Sequence, residues 1–185
     1  LELRPDISIL GCDISQKAIE LFQVQTMLAL YTHLFQGHEK FDAKKDFVFV
    51  ANIIEDNLSD ALSGKLADFA SLIFVLSALP PECLSRALEN LSRCIRFGGH
   101  LLIRDYSKDD AAQDRFNARQ SQLDHHLFVR QDGTLAHFMD IDALISLTAA
   151  TFEVVERKEV QCRTVNVKES LDLDRKFLQL LLRKK

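Results

Sequence analysis

Three short apolar runs end in polar or turn residues that could hold a small ligand: Asp13 after Ile7–Cys12, Asn52 after Phe47–Ala51, and Leu76-Ser77-Ala78 closing Phe69–Leu76. In an open parallel α/β sheet, ligands sit beyond the carboxyl ends of the strands. A carboxylate there can accept from both hydroxyls of a ribose, which is the chemistry expected of Asp13. The Asn52 amide offers an acceptor and donors to a base edge, while Ile53 and Ile73 would wall a purine ring. Taken singly these are ordinary residues, since an Asp after a strand commonly caps a helix and an Ile is commonly core. Their order at successive strand ends is what points to a nucleoside.

A second group, Arg104-Asp105-Tyr106, closes the run His100–Arg104. Asp105 could stabilise positive charge developing on a bound group, and Tyr106 could stack on a base or hydrogen-bond it. The competing assignment is a local ion pair with a half-buried tyrosine. Further on, Arg115, Arg119 and Arg130 are candidate phosphate contacts, because guanidinium groups grip phosphate bidentately. Phe116 and Phe128 could pack beneath them or stack on bases, and Gln131-Asp132-Gly133 is first of all a turn.

Other chemistries find little support. Cys12, Cys83, Cys94 and Cys162 form no C-x-x-C pair, so neither a zinc site nor a disulfide framework is expected. They read as buried apolar cysteines in a reducing compartment. His125-His126 lacks a second pair at ligand spacing, and no metal is expected. No Ser/His/Asp or Cys/His set has a nucleophile turn. No apolar run approaches the roughly 20 residues that span a bilayer, so no membrane association is expected.

Charge is distributed unevenly. The 185 residues carry a net −4; residues 1–99 hold 9 Lys+Arg against 13 Asp+Glu, whereas residues 100–185 hold 14 of each. That balance argues against a generic nucleic-acid binder. Any RNA-facing surface should then be a local patch in the second half.

The elements that must position these residues alternate strand and helix over the first two thirds, as in an α/β domain around a mainly parallel sheet. Ser15 can cap a helix with the stripe Ala18, Leu21, Val24, Leu28 and Tyr31. Thr32–Asp46 reads as a loop with a helical tail. A short helix is expected near Leu58–Leu62, and Phe69–Leu76 reads as a strand buried on both faces. Pro80-Pro81 opens a helix with the stripe Leu84, Leu88, Leu91 and Ile95; Arg93 and Arg96 complement its dipole and Gly98-Gly99 stops it. After Asp105 the pattern changes. Ser107–Arg119 is partly helical, Phe128–Phe138 is a hairpin turning at Asp132-Gly133, and Asp140 or Asp142 caps a helix through Ala150. Phe152–Val167 and Phe177–Leu182 are expected as an antiparallel pair, and Arg183-Lys184-Lys185 as a solvated end. No linker interrupts the chain, so residues 1–185 read as a single domain.

The motifs GCDIS, LIFVLSALPPE, LLIRDYSKDDAAQDRF, LFVRQDGTLAHF and CRTVNVKE, in this order, resemble those of the tRNA N3-methylcytidine methyltransferases of the methyltransferase-like family. The similarity runs from about Ile7 to Leu182. It implies a Rossmann-like class I methyltransferase fold, S-adenosyl-L-methionine as cofactor, and a cytidine in the tRNA anticodon loop as target. It also implies roles: Asp13 on the cofactor ribose, Asn52 and Ile53 at the adenine side, and Ile73 as an apolar adenine contact. Asp105 and Tyr106 are then the catalytic candidates, and Arg104, Arg115, Arg119, Phe128, Arg130 and Gln131 the RNA-binding ones. A tRNA-synthetase helper and a cytoplasmic location are compatible with the resemblance.

Two departures stand out. Asn52 occupies the place of the family's Asp, so cofactor binding should be weakened or retuned. The family's first strand and Gly-rich E-x-G-C-G-x-G loop would precede Leu1, so the sequence reads as N-terminally truncated. The competing functions are a methyltransferase acting on a small molecule or protein, and a non-catalytic methyltransferase-like subunit.

Overall fold

A computed structural model describes residues 7–31, 47–118, 121–166 and 171–185. The chain divides into two compact units, Leu1–Asp56 and Asn57–Lys185.

In the first unit, β1 (Leu10–Asp13) pairs in parallel with β2 (Phe47–Val50), Asp13 lying opposite Val50. Between them runs α1 (Gln16–Tyr31), whose Ala18 N–H donates to Ser15 Oγ at 3.2 Å, the cap expected from sequence. Of the expected stripe, the side chains of Val24, Leu28 and Tyr31 lie outside the described residues. Ile19 is buried, whereas Ala18 and Leu21 are exposed. This helix is apolar on more than one side, so spacing alone does not single out the face that meets the strands. The expected loop over 32–46 lies outside the described residues.

The second unit begins with α2 (Leu58–Ala61) and β3 (Ala67–Ile73). A 3-10 turn, Leu76–Ala78, and a second over Pro81–Cys83 lead into α3 (Leu84–Ser92), which buries Leu84, Ala87 and Leu88. Then come β4 (Ile95–Tyr106), α4 (Ala112–Ala118), the small sheet of β5 (Gln122–Asp124), β6 (Leu127–Val129) and β7 (Leu135–His137), and α5 (Ile141–Thr148). β8 (Phe152–Asn166) and β9 (Leu171–Lys184) end the chain. The main sheet has the order β3-β4-β9-β8. β3 is parallel to β4, and β9 is antiparallel to both β4 and β8. Hence β3, β4 and β8 share one direction and β9 alone runs against them, with the terminal antiparallel pair where the sequence placed it.

Alternation along β4 decides what lies on each face. Leu101, Ile103 and Asp105 are wholly buried, while His100, Leu102, Arg104 and Tyr106 are half-buried. Leu178, Leu180 and Leu182 of β9 complete the buried face. The run ending at Leu76 is not buried on both faces, because β3 pairs only with β4 among the described residues. Phe69 and Ile73 are 55% and 43% exposed.

Gly98-Gly99 does not stop α3, which ends earlier, at Ser92. The glycines form a bulge inside β4, between the pairs Ala67↔Ile95 and Phe69↔His100. Gly98 has φ +73°, and a Cβ on Gly99 would come within 3.0 Å of the Arg96 and Asp68 carbonyls. The last carbonyl of α3 and the first of β4 are served from far away in sequence: Lys184 Nζ donates to Ser92 O at 2.6 Å and Ile95 O at 2.7 Å. Arg93 pairs with Glu89 and Arg96 with Asp68. The chain end is therefore an anchor and not a solvated tail, as Lys185 Nζ also donates to Ala149 O at 2.6 Å and Arg183 pairs with Glu153. Of the cysteines only Cys94 is buried; Cys12 and Cys162 are exposed and Cys83 is intermediate, contrary to the apolar reading.

Asp140, not Asp142, caps α5, accepting from the N–H groups of Asp142 at 2.7 Å and Ala143 at 3.1 Å. The Lys108 ammonium, hydrogen-bonded to the same side chain, and these two N–H groups hold its carboxyl at about 2 against an ordinary 3.8. Because the folded value is depressed, the stabilisation is present above the ordinary carboxylate range and is lost as pH falls through the folded value. Asp140→Ala should cost about 1 kcal/mol at neutral pH, measured by urea unfolding. Asp140→Asn should cost less and should flatten the loss of stability on acidification in that window.

Candidate functional site

The carboxyl ends of β3 and β4 lie side by side, Ile73 opposite Arg104. Asp105 is the next residue of β4 and is fully buried. One carboxylate oxygen accepts from Ser77 N–H at 3.0 Å and the other from Tyr106 N–H at 2.9 Å. Burial pushes this carboxyl up, while Ser77 and the amides of Tyr106 and Leu76 favour the anion and pull the other way. Ser77 Oγ is itself buried without a hydrogen bond of normal geometry. Asp105 thus ties the 3-10 turn after β3 to the end of β4. The local ion pair with Arg104 is not what it makes; Arg104 reaches Gln179 Oε1 at 3.0 Å instead.

Tyr106 points to the other face, opposite Phe177 of β9. Its ring meets Phe74 at 5.1 Å between centroids, Phe138 at 5.4 Å and Phe177 at 6.1 Å. Three arginines lie over this floor. Arg175 is 5.4 Å from the Tyr106 centroid and 5.0 Å from that of Phe177; Arg130 is 5.8 Å from Tyr106; Arg104 is 5.1 Å from Phe177. Arg175 is held in place by Asp110, 2% exposed, whose two oxygens accept from its Nε at 2.9 and 3.0 Å.

Phe74 stands out within this cluster. It has φ +56°, a left-handed backbone that a bulky residue rarely adopts, at a cost of about 1–3 kcal/mol. The conformation is held by its N–H, which donates to Arg104 O at 2.9 Å, and by the Asp105 bond to Ser77 three residues on. Phe74, Arg175, Phe177 and Asp110 were not singled out from sequence. RKF and KDD have no spacing signature, and a left-handed φ leaves no trace in residue type when the residue is Phe.

The RNA-binding candidates divide. Arg130 lies over Tyr106 but also donates to Thr134 Oγ1 at 3.1 Å and to Leu135 O, closing its own turn. Gln131 is exposed at that turn, where Gly133 has φ +83° and Asp132 accepts from Thr134 N–H at 3.0 Å. Arg115 is half-buried on α4, and Arg119 lies outside the described residues. Phe128 is 1% exposed and packs with Ala112, Ala136 and Phe138, Phe116 resting against them. Its ring is closed off from a base, so of its two roles the structure supports packing.

In the first unit, Asp13 is exposed, and one of its oxygens accepts from Ser15 N–H at 2.7 Å. A carboxylate so placed keeps a second oxygen for a ribose hydroxyl. Asn52 Oδ1 accepts from Ile54 N–H at 2.9 Å, while Asn52 N–H donates to Asp56 at 2.7 Å. Asn52 and Ile53 are half-buried. In the second unit, Ile73 is 43% exposed at the end of β3 and offers apolar surface. Within the first unit, the free Asp13 oxygen as acceptor and the Asn52 side-chain amide as donor are groups that a nucleoside's hydroxyls and base edge can pair with. Among the described residues, no group of three His, Cys, Asp or Glu could hold a metal, and no helix is long and apolar enough to cross a membrane.

No protein-family model matches the chain. Similar solved structures include a SAM-dependent methyltransferase from Methanosarcina mazei, TM-score 0.68 at 19% identity, covering 96% of this chain and 82% of that one. Another is a SAM-dependent methyltransferase from Anabaena variabilis, TM-score 0.67 at 14% identity, covering 96% and 68%. At that identity they show the fold, a class I methyltransferase. Among curated proteins, the tRNA N(3)-methylcytidine methyltransferase trm141 of Schizosaccharomyces pombe is 36% identical over 182 residues, 97% of this chain and 68% of its own length. The human tRNA N(3)-cytidine methyltransferase METTL6 is 35% identical over 180 residues, 97% of this chain. This chain spans 58% of METTL6. With that identity over nearly all of its length, the chain belongs to the tRNA N(3)-cytidine methyltransferase family.

Proposed function

We propose that the full-length protein transfers a methyl group from S-adenosyl-L-methionine to N3 of a cytidine in the tRNA anticodon loop. The observation that carries this reading is the identity to curated tRNA N(3)-cytidine methyltransferases along 97% of the chain. The cytoplasm is the proposed compartment.

The cofactor supplies an electrophilic sulfonium methyl. N3 of an unpaired, neutral cytosine has a free lone pair, so no general base is needed for attack. Positive charge passes to the base as the bond from N3 to carbon forms and the bond from carbon to sulfur breaks. In this reading Asp13 accepts from the cofactor ribose, Asn52 and Ile53 hold the adenine side, and Ile73 covers the ring. Asp105 offsets the cationic product through a low-dielectric path and fixes the Tyr106 backbone. Tyr106 contacts the base, while Arg104, Arg115, Arg119, Arg130 and Gln131 are assigned to the RNA. Charge balance in residues 100–185 leaves little long-range attraction for tRNA. A helper such as an aminoacyl-tRNA synthetase would supply the missing affinity.

Labelled methyl transfer to purified tRNA, with nucleoside analysis of the product, tests the reading. Label appearing only in metabolites or protein would contradict it. Asp105→Asn should lower kcat by about a hundredfold and change tRNA affinity much less; equal losses would make Asp105 a folding or binding residue only. Asp13→Ala should weaken S-adenosylhomocysteine binding by about tenfold or more, read by calorimetry, with thermal stability little changed because the side chain is exposed.

A further inference from the structure

We propose that Phe74 is the platform on which the target cytosine stacks; this rests on the methyl-transfer reading above. The ring sits at the carboxyl rim of the sheet, where ligands of this architecture bind, directly beyond Ile73 and beside Tyr106. It is 38% exposed. Part of this apolar residue stays open to solvent, while the backbone beneath it is held left-handed at φ +56°. Strain of this kind persists where the surroundings over-determine it, and such positions cluster at ligand clamps. Here they do: Arg104 O fixes the Phe74 N–H, and Asp105 fixes the turn that follows.

The ring is also braced. Tyr106 packs against it at 33° and Phe177 meets it edge-on at 70°, centroids 5.1 and 5.4 Å away. The Arg104 and Arg175 guanidiniums lie over Phe177, and Arg130 and Arg175 over Tyr106. An aromatic face rimmed by cations is what a single unstacked nucleotide requires, the base on the ring and its phosphate on the arginines. A base extruded from its loop loses its neighbours, and the ring replaces that stacking. Tyr106 then serves as the wall that sets the depth of the base.

The test uses the full-length protein, labelled S-adenosyl-L-methionine and substrate tRNA, with Phe74→Leu, Phe74→Tyr and Phe74→Gly variants. Leu keeps the apolar bulk without a π face. Phe74→Leu should lower kcat/KM for tRNA by about 5- to 150-fold, Phe74→Tyr should stay within about threefold of the parent, and S-adenosylhomocysteine binding should be unchanged in both. A fluorescent cytosine analogue at the target position should be quenched on binding to the parent but not to Phe74→Leu. Phe74→Gly relieves the backbone, so its melting temperature reports folding separately from stacking and should match or exceed that of Phe74→Leu. A Phe74→Leu protein that methylates and quenches like the parent overturns the proposal while leaving the methyl-transfer reading intact. A parent protein that binds cofactor but never methylates tRNA overturns that reading, and with it the base that Phe74 would carry.

Discussion

A carboxylate without solvent exposure must have its charge answered by hydrogen bonds, and Asp105 finds them in two backbone N–H groups 28 and one residue away in sequence. That requirement joins the turn after β3 to the end of β4. The turn so fixed follows Phe74, whose left-handed backbone is also bonded to Arg104 O. With the strand end fixed, Tyr106 faces the opposite side, against Phe177. Asp105 thus fixes the two chain segments that carry Phe74 and Tyr106, while Asp110 sets Arg175 over the rings.

The order of elements was legible because period and punctuation agree. Ser15, Pro81 and Asp140 mark helix starts, Asp132-Gly133 marks a turn, and the run through Leu101 and Ile103 marks a buried strand. What was not legible depended on contacts distant in sequence. The burial of Ile19, the exposure of Phe69 and Ile73 on β3 and the stop of α3 at Ser92 depend on which segments meet. Lys184 serving Ser92 and Ile95 is a pairing across about 90 residues that no local pattern encodes.

The candidate site divides along the same line. Asp105 and Tyr106 were found because they end a strand. For Phe128 the sequence left packing and stacking both open, because an aromatic in a hairpin looks the same whether it faces in or out; at 1% exposure it faces in. Arg175 escaped notice because β9 extends further towards its N-terminus than its apolar run suggests, whereas Phe177 was read only as the first residue of that strand. Arg175 would be a solvated arginine but for Asp110, which removes its freedom and sets it over two rings.

The most direct test of this account is amide hydrogen exchange at Ser77 and Tyr106 in the full-length protein at neutral pH. If the buried Asp105 carboxylate organises the rim, both amides exchange as slowly as those of Leu101 and Ile103 in the strand core, and both become fast in Asp105→Leu. Exchange of Ser77 at the rate of an open loop in the unaltered protein would mean that the carboxylate does not hold the turn. The placement of Phe74 and Tyr106 would then lose its foundation.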